Sequence, residues 1–360
     1  MVSIQDLDKY PRSLIGYYGG NAGKKYGIVI DGQDWMVKFP KSTKEFNKAG
    51  VSYTTSPISE FIGSKIYEFL DIPVHETMLG LREDKLVVAC KDFRRPDARY
   101  IEFKEIKNAA LDDIPSGNGS GTSGEGTNLD DVLNVIRTEP LLQSIPDAER
   151  RFWDMFVVDA LIRNGDRNNT NWGVFIFNDG HAELAPVFDN GNSFFTTRNE
   201  EQNIKRLNDK DLLEQDAFGT YRSRFVDGDG HRIDAFRLMR ESSIPILRDA
   251  VEHVIAKYNH QQIADCIDGI PESVPDRLNT TNYYSVLPSG SKALYKTLLQ
   301  KHLEELYKIT DKAKTNPPSE GQSIKPPAKQ VAEIHSLNKD SAPIKVQGRS
   351  IGSKTQHKGR

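Results

Sequence analysis

Alternation of apolar and polar residues in the first ninety positions predicts two β-hairpins. Tyr26–Ile30 and Trp35–Phe39 are separated by an Asp-Gly turn, and this combination is typical of a hairpin. Val74–Leu81 and Leu86–Cys90 flank a second polar turn in the same way. The last of these strands begins with four apolar residues and no polar alternation, which indicates a central strand that is buried on both faces.

A helix is predicted between the two hairpins. Its apolar residues recur at three- and four-residue steps from Ile58 to Phe69, which is the spacing of one helical face. Ser56 is the predicted N-cap, and Pro57 suits the first helical position, where an amide donor is not needed. Glu60 lies roughly opposite the apolar stripe, so periodicity alone places its side chain in solvent.

Beyond residue 128 the apolar pattern becomes mainly helical. The predicted helices cover Glu149–Arg163, Ile244–Tyr258 and Lys292–Ile309, where apolar residues follow helical spacing. A hairpin with strands at Trp172–Phe177 and Glu183–Phe188 lies between the first two helices. A β-rich part followed by a mainly helical part predicts an α+β fold with two lobes, an order that resembles the bilobal plan of a protein kinase.

Composition divides the 360-residue chain into three parts. A glycine- and serine-rich stretch within residues 112–128 predicts a flexible loop. From about residue 313, prolines, serines and lysines replace the periodic pattern, and nine basic residues face three acidic ones. We therefore predict a β-rich lobe over 1–93, a helical lobe over 94–312 and a disordered basic tail over 313–360.

Charge and cysteine content exclude several classes of protein. A net charge of −3 gives no bulk attraction to nucleic acid or to an anionic membrane. Two cysteines without a spacing motif predict neither a disulfide framework nor a zinc site. The first residues lack a signal-peptide core, and no stretch approaches the ~18 apolar residues of a membrane helix. We expect a cytosolic protein, unless a secretion system recognises a signal that hydropathy does not show.

The segment around the internal hairpin carries the candidate chemistry. Asp166 and Asn171 lie in a polar loop after the apolar helix, and Asp189 follows the return strand. Because a hairpin carries the chain out and back, Asp189 can lie near Asn171. Phosphoryl transfer needs such a convergence, because an acid must orient the attacking hydroxyl while oxygen ligands hold Mg²⁺ on the nucleotide phosphates. A polar loop that ends in an Asp-Asn-Gly turn is the alternative, and the order of the three features makes it the weaker one.

Two features of the N-terminal part agree with this chemistry. Lys38 lies on a predicted strand, where a kinase places the lysine that contacts the α- and β-phosphates; a solvent-facing lysine is the alternative. Glycines before the first strand can bring backbone amides close to phosphate, although the stretch matches neither a Walker A motif nor G-x-G-x-x-G. The candidate phosphate-binding residues in this stretch are Gly20, Asn21, Ala22, Gly23 and Lys24.

These motifs together resemble the HipA-like serine/threonine kinases, and among them the compact, single-chain bacterial members. The resemblance covers roughly residues 15–310 and depends most on F-W-D-M-F-V-V-D-A-L-I-R-N-G-D-R-N-N-T-N-W-G and A-P-V-F-D-N-G. It implies a kinase-like fold, ATP and Mg²⁺ as cofactors, and phosphorylation of protein serine and threonine. Autophosphorylation of a loop serine occurs in the family, and Ser13 is the candidate here.

The resemblance also implies a role for each matching residue. Asp166 would be the catalytic aspartate, with Lys38 binding phosphate and Glu60 as the acid on the helix. Asn171 and Asp189 would be the metal ligands. The hinge that receives adenine through backbone groups would contain Ala89, Cys90, Lys91 and Asp92, with Asp92 near the ribose.

The sequence departs from the family in two places. Members usually carry histidine two positions after the catalytic aspartate, whereas this chain has Asn168, which cannot become positively charged. Larger HipA toxins use an extra N-terminal region to contact a DNA-binding antitoxin, and only a short segment precedes the glycines here. We therefore expect neither an antitoxin partner nor direct binding of nucleic acid, and the protein substrate is not evident.

Two other functions stay open at the level of sequence. Asn168 is consistent with a nucleotide-binding pseudokinase that acts as a scaffold. Phosphoinositide kinases share a loop similar to Gly165–Asn171, which makes a lipid kinase the third candidate. The chain is short for a lipid kinase and shows no obvious basic head-group loop after Asp189.

Overall fold

The computed structural model describes residues 1–14, 18, 23–112, 124–275 and 283–315. Met1–Pro317 forms one compact unit. The candidate residues Gly20, Asn21 and Ala22 lie outside the described residues, and so does the basic tail from residue 316 onward. Within the described ranges, no helix is long and apolar enough to cross a membrane.

A five-stranded sheet forms most of the N-terminal lobe. Its strands are β1 (Gln5–Asp6), β2 (Lys25–Ile30), β3 (Gln33–Lys38), β4 (Thr77–Arg82) and β5 (Lys85–Lys91). The order across the sheet is β1-β4-β5-β3-β2, so β5 is central, as its unbroken apolar run predicts. Helix α1 (Ser56–Phe69) packs against β4 and β5.

The C-terminal lobe is mainly helical and contains a second, three-stranded sheet. The strands of that sheet are β6 (Ala98–Glu102), β7 (Gly173–Phe177) and β8 (Ala182–Leu184). The helices are α2 (Phe103–Asp112), α3 (Leu129–Thr138), α4 (Pro140–Gln143), α5 (Ala148–Ile162), α6 (Glu200–Asn208), α7 (Lys210–Glu214), α8 (Ala235–Glu241), α9 (Pro245–Lys257), α10 (His260–Gly269) and α11 (Ser289–Thr315). A π-helical turn, Gln215–Gly219, follows α7, and β9 (Ser273–Pro275) pairs with β10 (Tyr283–Ser285).

Helix α5 is the centre of the C-terminal lobe. Of its 15 residues, 12 are buried, and it packs against α9, α3 and α11. The core helix predicted at Glu149–Arg163 is therefore present and shifted by one residue. Because α5 ends at Ile162, it delivers the chain directly into the loop that contains Asp166 and Asn171.

Several element boundaries differ from the sequence prediction, among them those of α1, α11 and β8. Helix α1 has Thr55 at its N-cap, so Ser56 is the first helical residue rather than the cap. Helix α11 continues to Thr315, beyond the predicted tail boundary at 313, because alanine and lysine after Ile309 extend a helix readily. Strand β8 ends at Leu184, and Val187 instead forms a parallel bridge with Val74. The return strand is therefore shorter than predicted, and the chain passes from it to the N-terminal lobe.

Candidate active site

Lys38 on β3 links α1 to the segment that follows β8. Its Nζ lies 2.9 Å from Glu60 Oε2 and 2.9 Å from Asp189 Oδ1. The Lys38 side chain is 19% exposed and the Glu60 side chain 1%, so this pair is largely shielded from water. Burial opposes the charge on Lys38, but Asp189 and Glu60 outweigh it and raise the pKa of the lysine above its ordinary value.

Glu60 is buried, which contradicts the solvent position that periodicity predicts. Its Oε1 accepts the backbone N–H of Asn190 at 3.0 Å and lies 3.0 Å from His75 Nε2. Burial raises the pKa of Glu60, but Lys38 and His75 together lower it below its ordinary value. Helix α1 packs against β4 and β5, and its residues Glu60 and Ser64 bond to Asn190. The pairing of Lys38 with Glu60 that the family resemblance implies is therefore present.

Asp189 lies where the two lobes meet. The preceding segment is bonded to the N-terminal lobe, because the Val187 N–H donates to the Pro73 carbonyl at 2.8 Å and the His75 N–H donates to the Val187 carbonyl at 3.0 Å. Asp189 has a φ of +60°, a left-handed conformation that aspartate tolerates better than most side chains. Its Oδ1 faces Lys38, whereas its Oδ2 accepts no hydrogen bond from the described residues.

Arg167 holds the loop of Asn171 against the segment of Asp189, although no sequence motif pointed to it. Its guanidinium is 1% exposed. Nη1 donates to the Asn171 carbonyl at 3.0 Å and to the Phe188 carbonyl, and Nη2 donates to Asn190 Oδ1 at 2.6 Å. One arginine therefore joins the two segments whose convergence the hairpin predicts.

Asp159 on α5 anchors this arginine. Its carboxylate accepts Arg167 Nε at 2.8 Å and Nη2 at 3.1 Å. It also accepts Asn164 Nδ2 at 3.0 Å and the Tyr67 hydroxyl at 2.8 Å. Asp159 and Arg167 are eight residues apart, and the reversal of the chain after α5 brings them together. A buried acid late in an apolar helix was the one sequence signal that could have identified this anchor.

Asp166 lies in the same loop with its carboxylate available. The carboxylate accepts no hydrogen bond from the described residues, whereas the Asp166 carbonyl accepts Asn171 Nδ2 at 2.8 Å. Partial burial of the carboxyl and the nearby charge of Asp189 raise the pKa of Asp166. The bond to Asp166 orients the Asn171 amide, so that Oδ1 keeps only the Thr170 hydroxyl as a partner, at 3.2 Å.

Asn168, the departure from the family pattern, braces this loop. Its Oδ1 accepts the Thr170 N–H at 2.9 Å and the Thr170 hydroxyl at 2.7 Å. Its Nδ2 donates to the Asp166 carbonyl at 3.2 Å. A neutral side chain that both donates and accepts is well suited to closing this turn.

Many backbone groups of the predicted hinge are hydrogen-bonded within the N-terminal lobe. Ala89 and Cys90 pair with both neighbouring strands. The N–H groups of Lys91 and Asp92 donate to main-chain carbonyls of the N-terminal lobe at 2.8 and 2.9 Å. These two amides are therefore engaged within the lobe, so a backbone N–H of this segment that binds adenine would lie beyond Asp92.

The carboxylate of Asp92 is also engaged. Its Oδ2 accepts the Tyr18 hydroxyl at 2.9 Å, and Arg94 Nε lies 3.0 Å from Oδ1 and 2.9 Å from Oδ2. Burial opposes the charge of Asp92, but the bonds from Arg94 and Tyr18 lower its pKa. A ribose hydroxyl at this carboxylate would have to compete with Arg94.

Two of the candidate phosphate-binding residues, Gly23 and Lys24, lie among the described residues. Gly23 has a φ of +76°, and a Cβ there would lie 3.1 Å from Lys41 Cγ, so glycine is favoured at this position. Lys24 pairs with Glu83 in the β4–β5 turn, away from Lys38. Lys25, which carried no prediction, lies directly opposite Lys38 in the β2–β3 register.

Lys25 therefore shares the face of the sheet that carries Lys38, because directly opposed residues of antiparallel strands point to the same side. Burial and the charge of Lys38 lower the pKa of Lys25. No ion pair or hydrogen bond of its ammonium group occurs among the described residues. The signal that identifies it is the two-residue period of the strand, which places Lys24 and Lys25 on opposite faces.

Two oxygen atoms on the segments that Arg167 joins fit a hard divalent cation. Asp189 Oδ2 and Asn171 Oδ1 are carboxylate and amide oxygens, which are the ligand types that Mg²⁺ takes. A second group of potential ligands, Glu60, His75 and Cys90, lies within 4.8 Å. In that group Glu60 is already bonded to Lys38 and His75, so the group serves to hold Glu60 in place.

Comparison with known proteins agrees with this fold. Residues 19–266 match the HipA-like C-terminal domain family, so the chain belongs to this family and is an enzyme of the protein-kinase type. The serine/threonine-protein kinase CtkA of Helicobacter pylori is 30% identical over 256 residues, which are 71% of this chain and 75% of that protein.

A solved structure matches most of the chain. The crystal structure of a Helicobacter pylori proinflammatory kinase, CtkA, has a TM-score of 0.72 and 24% identity, and the match covers 86% of this chain and 99% of that one. The two-lobed α+β fold of a protein kinase, predicted from the order of strands and helices, is thereby confirmed.

Proposed function

We propose that the protein is an ATP-dependent serine/threonine protein kinase that transfers the γ-phosphoryl group to protein hydroxyls, its own included. The observation that supports this most is the double ion pair of Lys38. A largely shielded lysine paired with a helix acid, here Glu60 at 2.9 Å, is the ion pair that a kinase needs in place before phosphoryl transfer. The second contact of Lys38, with Asp189 at 2.9 Å, brings the candidate metal ligand to the same lysine. A merely polar loop would need neither the buried acid nor the shared lysine.

The lysine side chains and the candidate metal ligands of the site each have a role in this reaction. Lys38 and Lys25 lie on the same face of the sheet and would bind the nucleotide phosphates. Asn171 and Asp189 would hold Mg²⁺, which neutralises charge on the phosphates when it is bound. Because the N–H groups of Lys91 and Asp92 are bonded within the lobe, a backbone N–H that binds adenine would lie beyond Asp92.

Asp166 orients the acceptor and removes its proton. The hydroxyl oxygen of the substrate attacks the γ-phosphorus, the bond to the β-phosphate oxygen breaks, and the hydroxyl proton passes to the Asp166 carboxylate. A carboxylate with a raised pKa and no protein donor is suited to this task, because it is available to the substrate and holds a proton more readily. Arg167 keeps Asp166, Asn171 and Asp189 in register through the contacts of its guanidinium.

Transfer of label from radioactive ATP to generic protein acceptors tests the proposal. We expect wild type to label an acceptor and Asp166→Asn to lose at least about a hundredfold in rate. Asp179→Asn is the matched control, because Asp179 lies in the exposed β7–β8 turn. ATP binding without transfer to any acceptor would identify a pseudokinase instead, and transfer to phosphoinositides but not to proteins would identify a lipid kinase.

A further inference from the structure

Arg163 is a buried arginine whose guanidinium is only partly paired. It is the C-cap residue of α5, with a left-handed φ of +61°, and it directly precedes the loop of Asp166. Its Nη2 donates to Thr220 Oγ1 at 3.0 Å. Its Nε and Nη1 are buried and have no partner among the described residues. Such groups are costly to leave unpaired, so their presence points to a partner that arrives later.

The surroundings of Arg163 are electropositive. Arg163 lies 4.5 Å from the ring centroid of Phe195, and Arg198 lies 3.6 Å from the same ring. The nearby acid, Asp216, is already bonded to Arg198 at 2.6 Å and to Arg206 at 2.6 Å. One carboxylate therefore faces three guanidinium groups, and the cluster is two positive charges in excess.

Thr220 lies on the protein surface, and its hydroxyl group reaches this arginine cluster. It is an exposed residue that ends the π-helical turn Gln215–Gly219. Its oxygen nevertheless lies within hydrogen-bond distance of Arg163. A phosphate on that oxygen would bring nearly two negative charges and three strong acceptor atoms. Because Nη1 and Nη2 share one carbon atom, the phosphate could bind both, as guanidinium groups do.

We propose that Thr220 is a phosphorylation site and that its phosphate binds the Arg163 side chain. The proposal rests on the kinase activity proposed above, which supplies the phosphoryl group. The Thr220 oxygen attacks the γ-phosphorus of ATP, ADP leaves with the electrons of the broken bond, and the hydroxyl proton passes to Asp166 of the catalysing molecule. The phosphate then ties the segment that follows Asp189 to the end of α5.

Site mapping tests the first half of the proposal. The full chain is incubated with ATP and Mg²⁺ and its phosphopeptides are identified by mass spectrometry. We expect phosphate at Thr220 in wild type and in Thr138→Val, and none at this position in Asp166→Asn or Thr220→Val. Thr138 is a matched control, because it is an exposed threonine whose hydroxyl bonds only to the Asn134 carbonyl, at 2.8 Å.

Thermal unfolding tests the second half. We expect phosphorylated wild type to melt about 2 °C above the phosphatase-treated protein. The difference should disappear in Arg163→Gln and persist in Arg237→Gln, whose arginine pairs with Glu241 on the surface of α8. If Arg163→Gln does not fold, mapping in wild type and Thr220→Val still decides the site.

The outcomes separate this inference from the proposed function. Labelling of a generic acceptor while Thr220 stays unmodified would refute the Thr220 site and leave the kinase activity standing. Phosphate on Thr220 with no Arg163-dependent rise in melting temperature would refute the role of Arg163. If wild type modifies no acceptor at all, both proposals are wrong.

Discussion

Arg167 and Asp159 form a buried two-point ion pair, with Nε–Oδ2 at 2.8 Å and Nη2–Oδ1 at 3.1 Å. Their side chains are only 1% and 4% exposed. The remaining N–H groups of Arg167 hold the carbonyls of Asn171 and Phe188. Because the pair fixes the guanidinium, α5 determines where the two candidate metal ligands meet.

Arg167→Lys is expected to impair both stability and activity. Lysine keeps the charge but lacks the planar fork, so it cannot satisfy the carboxylate and both carbonyls together. We expect a loss of about 3 kcal/mol in the free energy of unfolding, measured by urea denaturation, and a lower kcat. Arg237→Lys should change neither quantity. An unchanged kcat in Arg167→Lys would show that the guanidinium does not position the loop.

Lys25→Gln and Lys24→Gln form a matched pair. Lys25 lies opposite Lys38, whereas Lys24 is paired with Glu83 in the β4–β5 turn. We therefore expect Lys25→Gln to raise the KM for ATP about tenfold, which corresponds to about 1.4 kcal/mol, and Lys24→Gln to leave it within about twofold. A larger rise in the KM for ATP in Lys24→Gln than in Lys25→Gln would place the phosphates at the other face of β2 and contradict this prediction.

Glu60→Gln is expected to destabilise the folded protein near neutral pH. The substitution leaves the buried ammonium of Lys38 with Asp189 as its only acid partner, and we expect a loss of about 3 kcal/mol. The pKa of Glu60 is lowered by folding, so its contribution is present above the pKa of the unfolded state and is lost as the pH falls through the folded value. Glu68→Gln, in the exposed pair with Lys65 on the same helix, should have little effect. Equal losses in the two variants would contradict the assignment.

Asp166→Asn is expected to stabilise the protein while abolishing activity. Folding raises the pKa of Asp166, so the ionised carboxylate disfavours the folded state above that pKa, and the penalty vanishes below the pKa of the unfolded state. Thermal melts should therefore show a higher melting temperature for the variant at pH 7 and no difference in acid. Asp179→Asn should show the opposite sign, because His181 lowers the pKa of Asp179. A destabilised Asp166→Asn at pH 7 would contradict this prediction.

Local patterns in the sequence determined much of the framework. The apolar run of β5, the buried helix α5 and the hairpin β7–β8 all follow from periodicity and turn residues, and the strand-then-helix order gave the fold class. The hairpin also predicted that Asn171 and Asp189 converge, because a reversal of the chain is a local property.

Other features depended on register and packing between distant segments. Periodicity predicted an exposed Glu60 because an apolar stripe identifies only one buried face of a helix. In α1 the face that carries Glu60 is buried as well. The choice between Lys24 and Lys25 depends on which residue lies opposite Lys38, and the pairing of β2 with β3 decides that. The N–H groups of Lys91 and Asp92 donate to the carbonyls of Glu76 and Asp34, which are distant in the chain, so no local pattern identifies these bonds.

The sequence by itself therefore determined helices α1, α5, α9 and α11, the three main hairpins, the fold class and the order of Asp166, Asn171 and Asp189. Only the tertiary structure decided how these residues are held, through Arg167, Asp159 and the shared lysine Lys38. The physical reason is that a buried charge is stable only when several partners surround it. Those partners come from segments far apart in the chain, and no local pattern records which of them will meet.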